Sequence, residues 1–349
     1  MRHADVVIVG GGIIGLSLAF ELRKSGCSLI VLDRREPGRE ASHAAAGMLA
    51  ARGADLGPPL KDLALASAAM YPEFVQEIED ASGMKVDLRR QGTILVGLAA
   101  EHSGIGTPLG ADEQTELEPN LSPQDGAVFL EEHSIDPRAL TAACLEAARR
   151  HGINVAAAEE AHEVKRDGDA LSVVTQRTSY SAAIVVNCCG AWAGSVAPLN
   201  VPLRPVKGHM LAVIPGEKNR IEHVIHAADV YLVPRSDGRL LIGSTLEEKG
   251  FDKRVELETI QRLHQAADKL VPRLGEARIH EAWAGLRPAT PDELPILSGT
   301  SIPGYFIAAG HYRNGILLAP ITARLMARLI CDCAPAFDLL PFSAKRFLH

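Results

Sequence analysis

The hydrophobic pattern of the first thirty-three residues describes three elements in succession. Residues 5–9 are a short β-branched run, residues 13–25 carry apolar side chains at helical spacing, and Gly26 stops that segment. Residues 28–32 form a second apolar run closed by Asp33. Strand, helix and strand in that order predict a βαβ unit. Small side chains then dominate residues 36–57, helical period returns over 63–79, and 92–97 has the pattern of a strand. Residues 101–127 are rich in Gly, Pro, Asp and Glu without periodicity, which predicts surface loops.

In the second half, Leu140, Cys144 and Ala147 give helical spacing over 139–151, with Gly152 as the stop. Strands are expected at 153–157 and 183–187, extending the first sheet. From 209 to 244 the pattern changes to strands alone, with 230–234 and 239–244 joined as a hairpin through Ser236, Asp237 and Gly238. Residues 305–308 return as a buried strand leading into a final helix from Ile316. The predicted fold class is α/β. A Rossmann-type nucleotide-binding domain (1–85, 137–200 and 286–349) is interleaved with an antiparallel β-sheet substrate domain (86–136 and 201–285). No fixed-period repeat suggests a solenoid or propeller.

With 349 residues, 47% apolar and 23% charged, the chain has the composition of an ordered globular protein. Its net charge of −7 argues against nucleic acid as a partner, because phosphate binding needs clustered Lys and Arg. The six cysteines contain no C-x-x-C pair and read as reduced thiols, which points to the cytoplasm. Residues 5–18 are apolar, yet they hold four glycines and no cleavage-like end, so they are expected to remain in the mature protein. Arg324, Arg328 and Pro320 interrupt the stretch 316–333, which reads as a packed helix and not a membrane span.

The chemistry begins at Gly10-x-Gly12-x-x-Gly15, which follows a strand and opens a helix, with Asp33 placed 23 residues after Gly10. Gly10 permits a tight turn, Gly12 lets backbone approach a pyrophosphate, and Gly15 allows close helix packing. The helix start attracts phosphate, and Asp33 would take ribose hydroxyls. This is a dinucleotide site, and the pattern alone leaves FAD and NAD open; Arg34 and Arg35 could even suit a 2′-phosphate. Gly310-His-Tyr-Arg-Asn-Gly315 joins a strand to a helix, so a second helix start could face the pyrimidine edge of a flavin. Trp192, after Cys189-Gly190-Ala191, is expected to pack beneath a cofactor-binding turn. None of the thirteen histidines forms a metal-ligand array, so no metal is expected and the His311 side chain is read as structural.

Four segments carry a resemblance: Ala44-Ala-Ala-Gly47-Met48-Leu49, Tyr231-Leu-Val-Pro-Arg235, Trp283-Ala-Gly-Leu-Arg287-Pro288, and Ala309-Gly-His311-Tyr-Arg313-Asn-Gly315-Ile-Leu-Leu-Ala-Pro320. They look like those of the glycine oxidases of the thiamine pathway, a branch of the D-amino acid oxidase family, from about residue 4 to about residue 331. The resemblance implies FAD contacts at Ile13, Ile14, Asp33, Arg34, Ala41, Ser42, Ala46, Gly47, Met48 and Ala161. A C-terminal set covers His311, Tyr312, Arg313, Asn314, Gly315, Ile316 and Leu317. It also implies a substrate carboxylate clamp at Arg287, an active-site tyrosine at Tyr231 and a second arginine near the ligand at Arg313. Asp229 falls where the family would carry a polar ligand-side residue, with a one-residue slip around His226. The monomeric sarcosine oxidase branch anchors its flavin through a cysteine, and alignment on Thr290-Pro-Asp-Glu293 puts Gly285 there, which implies noncovalent FAD.

The residues are compatible with that chemistry, since an arginine presents a planar, permanently charged fork to a carboxylate. The implied reaction is oxidative deamination of glycine, sarcosine or D-alanine to a 2-oxo acid and ammonia, without a protein base, with oxygen as acceptor and hydrogen peroxide as product. A dehydrogenase passing electrons to a quinone or other carrier and a non-catalytic nucleotide-binding protein are the alternatives. Similar proteins are homotetramers, which implies a homo-oligomer.

Overall fold

The computed structural model describes residues 2–53, 56–97 and 105–347. Its first sheet grows from the predicted βαβ unit. Strands Arg2–Val9 and Leu29–Leu32 pair in parallel, Val6 opposite Leu29 and Val9 opposite Leu32. Asn154–Ala156 extends the sheet on one side and Ser179–Asn187 on the other, both parallel. Beyond Ser179–Asn187 the strand Ala170–Thr175 pairs antiparallel with its first half and Ala161–Asp167 pairs antiparallel with Ala170–Thr175 in turn, while Tyr305–Ala309 lies parallel to the second half of Ser179–Asn187.

Helix Ile13–Leu22 is buried on nearly every side, between helices Pro137–Arg150 and Ala319–Ile330. That is why its apolar residues form no single stripe. Leu16, Leu18, Phe20 and Leu22 are each 1% exposed or less, and burying side chains of this kind contributes roughly 1.5–3 kcal/mol apiece. This dense packing fixes the glycine turn that precedes the helix.

The second sheet runs in the spatial order Arg278–Ala289, Arg204–Ile214, Leu240–Gly243, Tyr231–Pro234, Val224–His226, Thr93–Leu95, Ala127–Leu130 and Thr107–Leu109. Its pairings are antiparallel except that between Val224–His226 and Thr93–Leu95. The expected hairpin is present, with Tyr231 opposite Gly243 and Pro234 opposite Leu240. Helix Leu257–Leu270 covers one face through Ile260, Leu263, Ala267 and Leu270. A small three-stranded sheet, Met48–Leu49 with His133–Ile135 and Leu88–Arg89, bridges the two units. No helix of the described residues is long and apolar enough to cross a membrane.

Two expectations need correction. The stretch 101–127 is not all loop: outside residues 101–104, which are not among the described residues, it holds the strand Thr107–Leu109 and helix Ala111–Leu117. Its inward positions are polar, which hides the period. Gln114 is buried with its amide on the Leu109 and Gln124 carbonyls, and the buried Glu118 carboxylate accepts the Glu222 and His223 N–H groups.

The final helix begins at Ala319, three residues later than expected. Pro320 has no N–H for the Ile316 carbonyl, and proline suits only the first helical turn. That carbonyl accepts the Ala319 N–H at 3.1 Å and the Tyr71 hydroxyl, and Ser67 Oγ donates to the Leu317 carbonyl at 2.6 Å. Side chains of helix Leu60–Ser82 thus hold residues 311–318 as an irregular turn.

Candidate active site

A cavity of about 280 Å³ lies between the two large sheets, reached from both by named side chains. At one end is the glycine turn. Gly10 has φ +110°, and a Cβ on it would lie 2.3 Å from the Cys188 carbonyl oxygen. A Cβ on Gly15 would lie 1.9 Å from the Gly10 oxygen. At Gly12, by contrast, the nearest contact would be Ser42 Oγ at 3.3 Å, so this position is kept open toward the cavity. Gly10 and Gly15 are thus fixed by close packing, while Gly12 is the least crowded of the three.

Asp33 closes the turn by accepting the Gly11 and Arg35 N–H groups, each at 2.9 Å. Burial pushes its carboxyl pKa up, against the pull of those two N–H groups. Ser42 Oγ accepts the Ile13 N–H at 3.0 Å and so satisfies one donor of the helix start. Arg34 is not a loose phosphate fork. It pairs with Glu40 at 2.9 Å and lies 3.6 Å over the Trp192 ring. Trp192 is half-buried in the cavity wall and also stacks on Phe251. Burial would raise the Glu40 carboxyl, but hydrogen bonds from Lys253 and Arg34 hold it below the usual range.

The other end is made of side chains. Tyr231 Oη lies 3.1 Å from Met210 Sδ, and Gly243 leaves room for the ring, since a Cβ there would come within 2.8 Å of it. The Arg287 guanidinium passes over Gly208 and donates to the Thr245 carbonyl at 3.0 Å and to Ser244 Oγ at 2.6 Å. Arg313 is exposed at the rim. His311 is buried against Thr322 Oγ1 at 3.1 Å, and burial lowers its pKa to about 3, so the ring is neutral.

Ile13, Ile14, Ala41, Ala46, Gly47, Met48, Ala161, Tyr312, Gly315 and Ile316 also line the cavity. Gly15, Asn314 and Leu317 do not: Gly15 packs on Gly10, and Leu317 belongs to the core of the first unit. Asp229 is exposed in the turn before Tyr231, outside the lining. Sequence reasoning missed Arg235, which is buried and whose Nη2 donates to the Ala46 carbonyl, fixing the Ala44–Met48 segment from the opposite sheet. Its signals were a charged residue directly after an apolar strand and its place at the end of the Tyr231-Leu-Val-Pro-Arg235 segment, neither of which gave it a role.

Residues 5–329 match the family described as FAD dependent oxidoreductase. The chain belongs to that family. FAD is accordingly the dinucleotide for which the Gly10 to Gly15 cradle is suited: Gly12 is open, while Gly10 and Gly15 are closed by packing. Among similar family members, glycine oxidase of Geobacillus kaustophilus is 35% identical, with 100% of this chain and 98% of that protein covered. Its crystal structure superposes with a TM-score of 0.94 over 100% of both chains. The bifunctional protein ThiO/ThiG of Synechocystis is 36% identical over 99% of this chain, which spans 54% of that longer protein. Hydrogen cyanide synthase subunit HcnC of Pseudomonas aeruginosa is 33% identical, with 99% and 97% covered.

Proposed function

We propose that this chain is an FAD-dependent amino-acid oxidase that deaminates glycine, or an amine as small as sarcosine or D-alanine, to a 2-oxo acid and ammonia. The observation that carries this reading is one continuous cavity lined by the glycine turn at Gly10 and Gly12 at one end and by Arg287 with Tyr231 at the other. The residues named from the sequence that line it are its FAD and substrate contacts. When bound, FAD supplies the acceptor for the hydride leaving the substrate carbon.

The protein's own contribution is positioning. Three N–H groups of Arg287 are committed, to the Thr245 and Lys207 carbonyls and to Ser244 Oγ, so the substrate carboxylate meets the N–H groups that remain. Among the described residues the Tyr231 hydroxyl donates to the Met210 thioether, a weak acceptor that leaves the hydroxyl available to the substrate. His311, kept neutral, adds no competing positive charge at this site. Substrate held between these groups is aligned without a protein base, and alignment alone lowers the barrier substantially.

FAD is bound noncovalently in this reading, because a side chain at Gly285 would bring its Cβ within 2.3 Å of Ala44 Cβ and leaves no place for an anchoring thiol. Oxygen as acceptor, hydrogen peroxide as product and supply of the thiazole ring of thiamine follow the glycine oxidase resemblance. Six free cysteines support a cytoplasmic location. Exposed Leu246, Phe251, Val255 and Leu257 on one segment support a homo-oligomer.

The test is anaerobic addition of glycine, sarcosine and D-alanine to the flavin-loaded protein. Flavin bands should bleach and return in air with one peroxide per turnover. Bleaching without peroxide would replace the oxidase by a dehydrogenase, and bands unmoved by all three would overturn the reading. Arg287→Ala should raise the KM for glycine about 100-fold with the flavin retained, since losing a charged, hydrogen-bonded pair costs about 2–5 kcal/mol.

A further inference from the structure

The direction of the Arg287 fork depends on residues 244 and 245, which receive two of its N–H groups. What holds these residues lies behind the sheet. Alternation along Arg204–Ile214 turns Gly208 and Met210 toward the cavity and Lys207 and His209 to the opposite face, where both are fully buried. There Thr245 Oγ1 accepts the His209 N–H at 3.0 Å and donates to Glu247 Oε1 at 2.5 Å.

The same Glu247 oxygen lies 2.8 Å from His209 Nδ1, while the Glu256 N–H donates to His209 Nε2 at 3.1 Å. A ring nitrogen that accepts carries no proton, so the ring is the Nδ1–H tautomer and donates to Glu247. The backbones of Lys207 and Glu247 exchange two hydrogen bonds, at 2.9 and 3.0 Å, and Lys207 Nζ reaches Glu256 Oε1 at 3.2 Å. Hydrogen bonds from Thr245 and His209 keep the Glu247 carboxyl ionised below its usual range, against the effect of burial. The segment that aims Arg287 is therefore tied to the sheet at its backbone and at its side chains.

We propose that Thr245, Glu247 and His209 are positioning residues that hold the 244–245 backbone so that Arg287 meets the substrate carboxylate at one fixed angle. The proposal rests on Arg287 being the carboxylate clamp. A fork-to-carboxylate contact depends on orientation as well as charge, so loosening its support weakens carboxylate binding without touching the cofactor site.

The experiment compares Thr245→Val, Thr245→Ser and Arg287→Ala in the flavin-loaded enzyme, reading the KM and kcat for glycine and the Kd for acetate from the flavin absorbance. Thr245→Val keeps the backbone carbonyl and removes the hydroxyl, and should raise both the KM and the acetate Kd about tenfold. Its kcat should stay within about threefold of the parent and Thr245→Ser should restore affinity, a pattern that general loosening of the fold would not produce. If Thr245→Val does not fold, Glu247→Ala should show the same selective rise and Glu247→Gln its partial rescue. Unchanged affinities in both Thr245→Val and Glu247→Ala, beside a large rise in Arg287→Ala, would overturn the positioning role alone. Unchanged affinity in Arg287→Ala would overturn the clamp itself.

Discussion

The glycine end of the cavity presents backbone to the space between the sheets; the Arg287 end presents side chains. The first end is built from a single stretch, with Gly10, Gly12 and Gly15 on one turn and Asp33 at the close of the next strand. The second gathers Gly208, Tyr231, Gly243, Ser244 and Arg287 from neighbouring strands of another sheet. Backbone recognition leaves no choice of residue, because a Cβ in the wrong place strikes an atom that cannot move. Side-chain recognition leaves the fork free to be re-aimed, and its accuracy depends on what supports it.

That contrast predicts a gradient of effects. Gly15→Val should be the most severe, since its Cβ would lie 1.9 Å from the Gly10 carbonyl oxygen. Purified protein should carry no flavin, read from the absorbance per chain, and should unfold several degrees lower; a variant that retained full flavin would erase the distinction. Gly208→Ala should be milder. Its Cβ would fall 2.3–2.6 Å from the Arg287 guanidinium, the movable tip of a long side chain. A rise of about tenfold in the glycine KM with flavin intact is the expected outcome, and loss of flavin there would mean that the two ends are not separable.

The last effect is on stability and not on binding, and concerns His311. His311 has a pKa lowered to about 3 by burial, whereas an unfolded histidine titrates near about 6.5. Between those values the unfolded chain binds a proton that the native ring refuses. Stability fully present above pH 6.5 is therefore lost as pH falls toward 3, by about 1 kcal/mol per pH unit from this residue. Denaturant titrations at pH 7, 5.5 and 4.5 should show a shallower decline in His311→Gln; parallel declines would remove His311 as the source.

Much of the fold was legible in the sequence because its elements obey a local period. The βαβ unit, the hairpin at Tyr231–Pro234 and Leu240–Gly243 and the helix Pro137–Arg150 all lie where the pattern put them. Ile260, Leu263, Ala267 and Leu270 carry helical spacing that could also have revealed Leu257–Leu270. Less legible were elements whose buried positions are polar. Gln114 and Glu118 enter the interior through hydrogen bonds, and hydropathy cannot distinguish them from surface residues. The late start of the last helix was hidden for a related reason, since one of the donors on the Ile316 carbonyl, which Pro320 cannot reach with an N–H, comes from the distant Tyr71.

By itself the sequence determined the dinucleotide cradle, since only glycine at those spacings lets a turn, an approach and a helix packing coexist. The resemblance of its motifs named Arg287 and Tyr231. Only the tertiary structure decided what surrounds them: that Gly208 lies beneath the Arg287 fork, that Ser244 and Thr245 aim it, and that His209 and Glu247 brace those two from behind the sheet. These groups are up to eighty residues apart in the chain. Hydrogen bonds act over about 3 Å in space whatever the distance along the chain, so no local pattern records them.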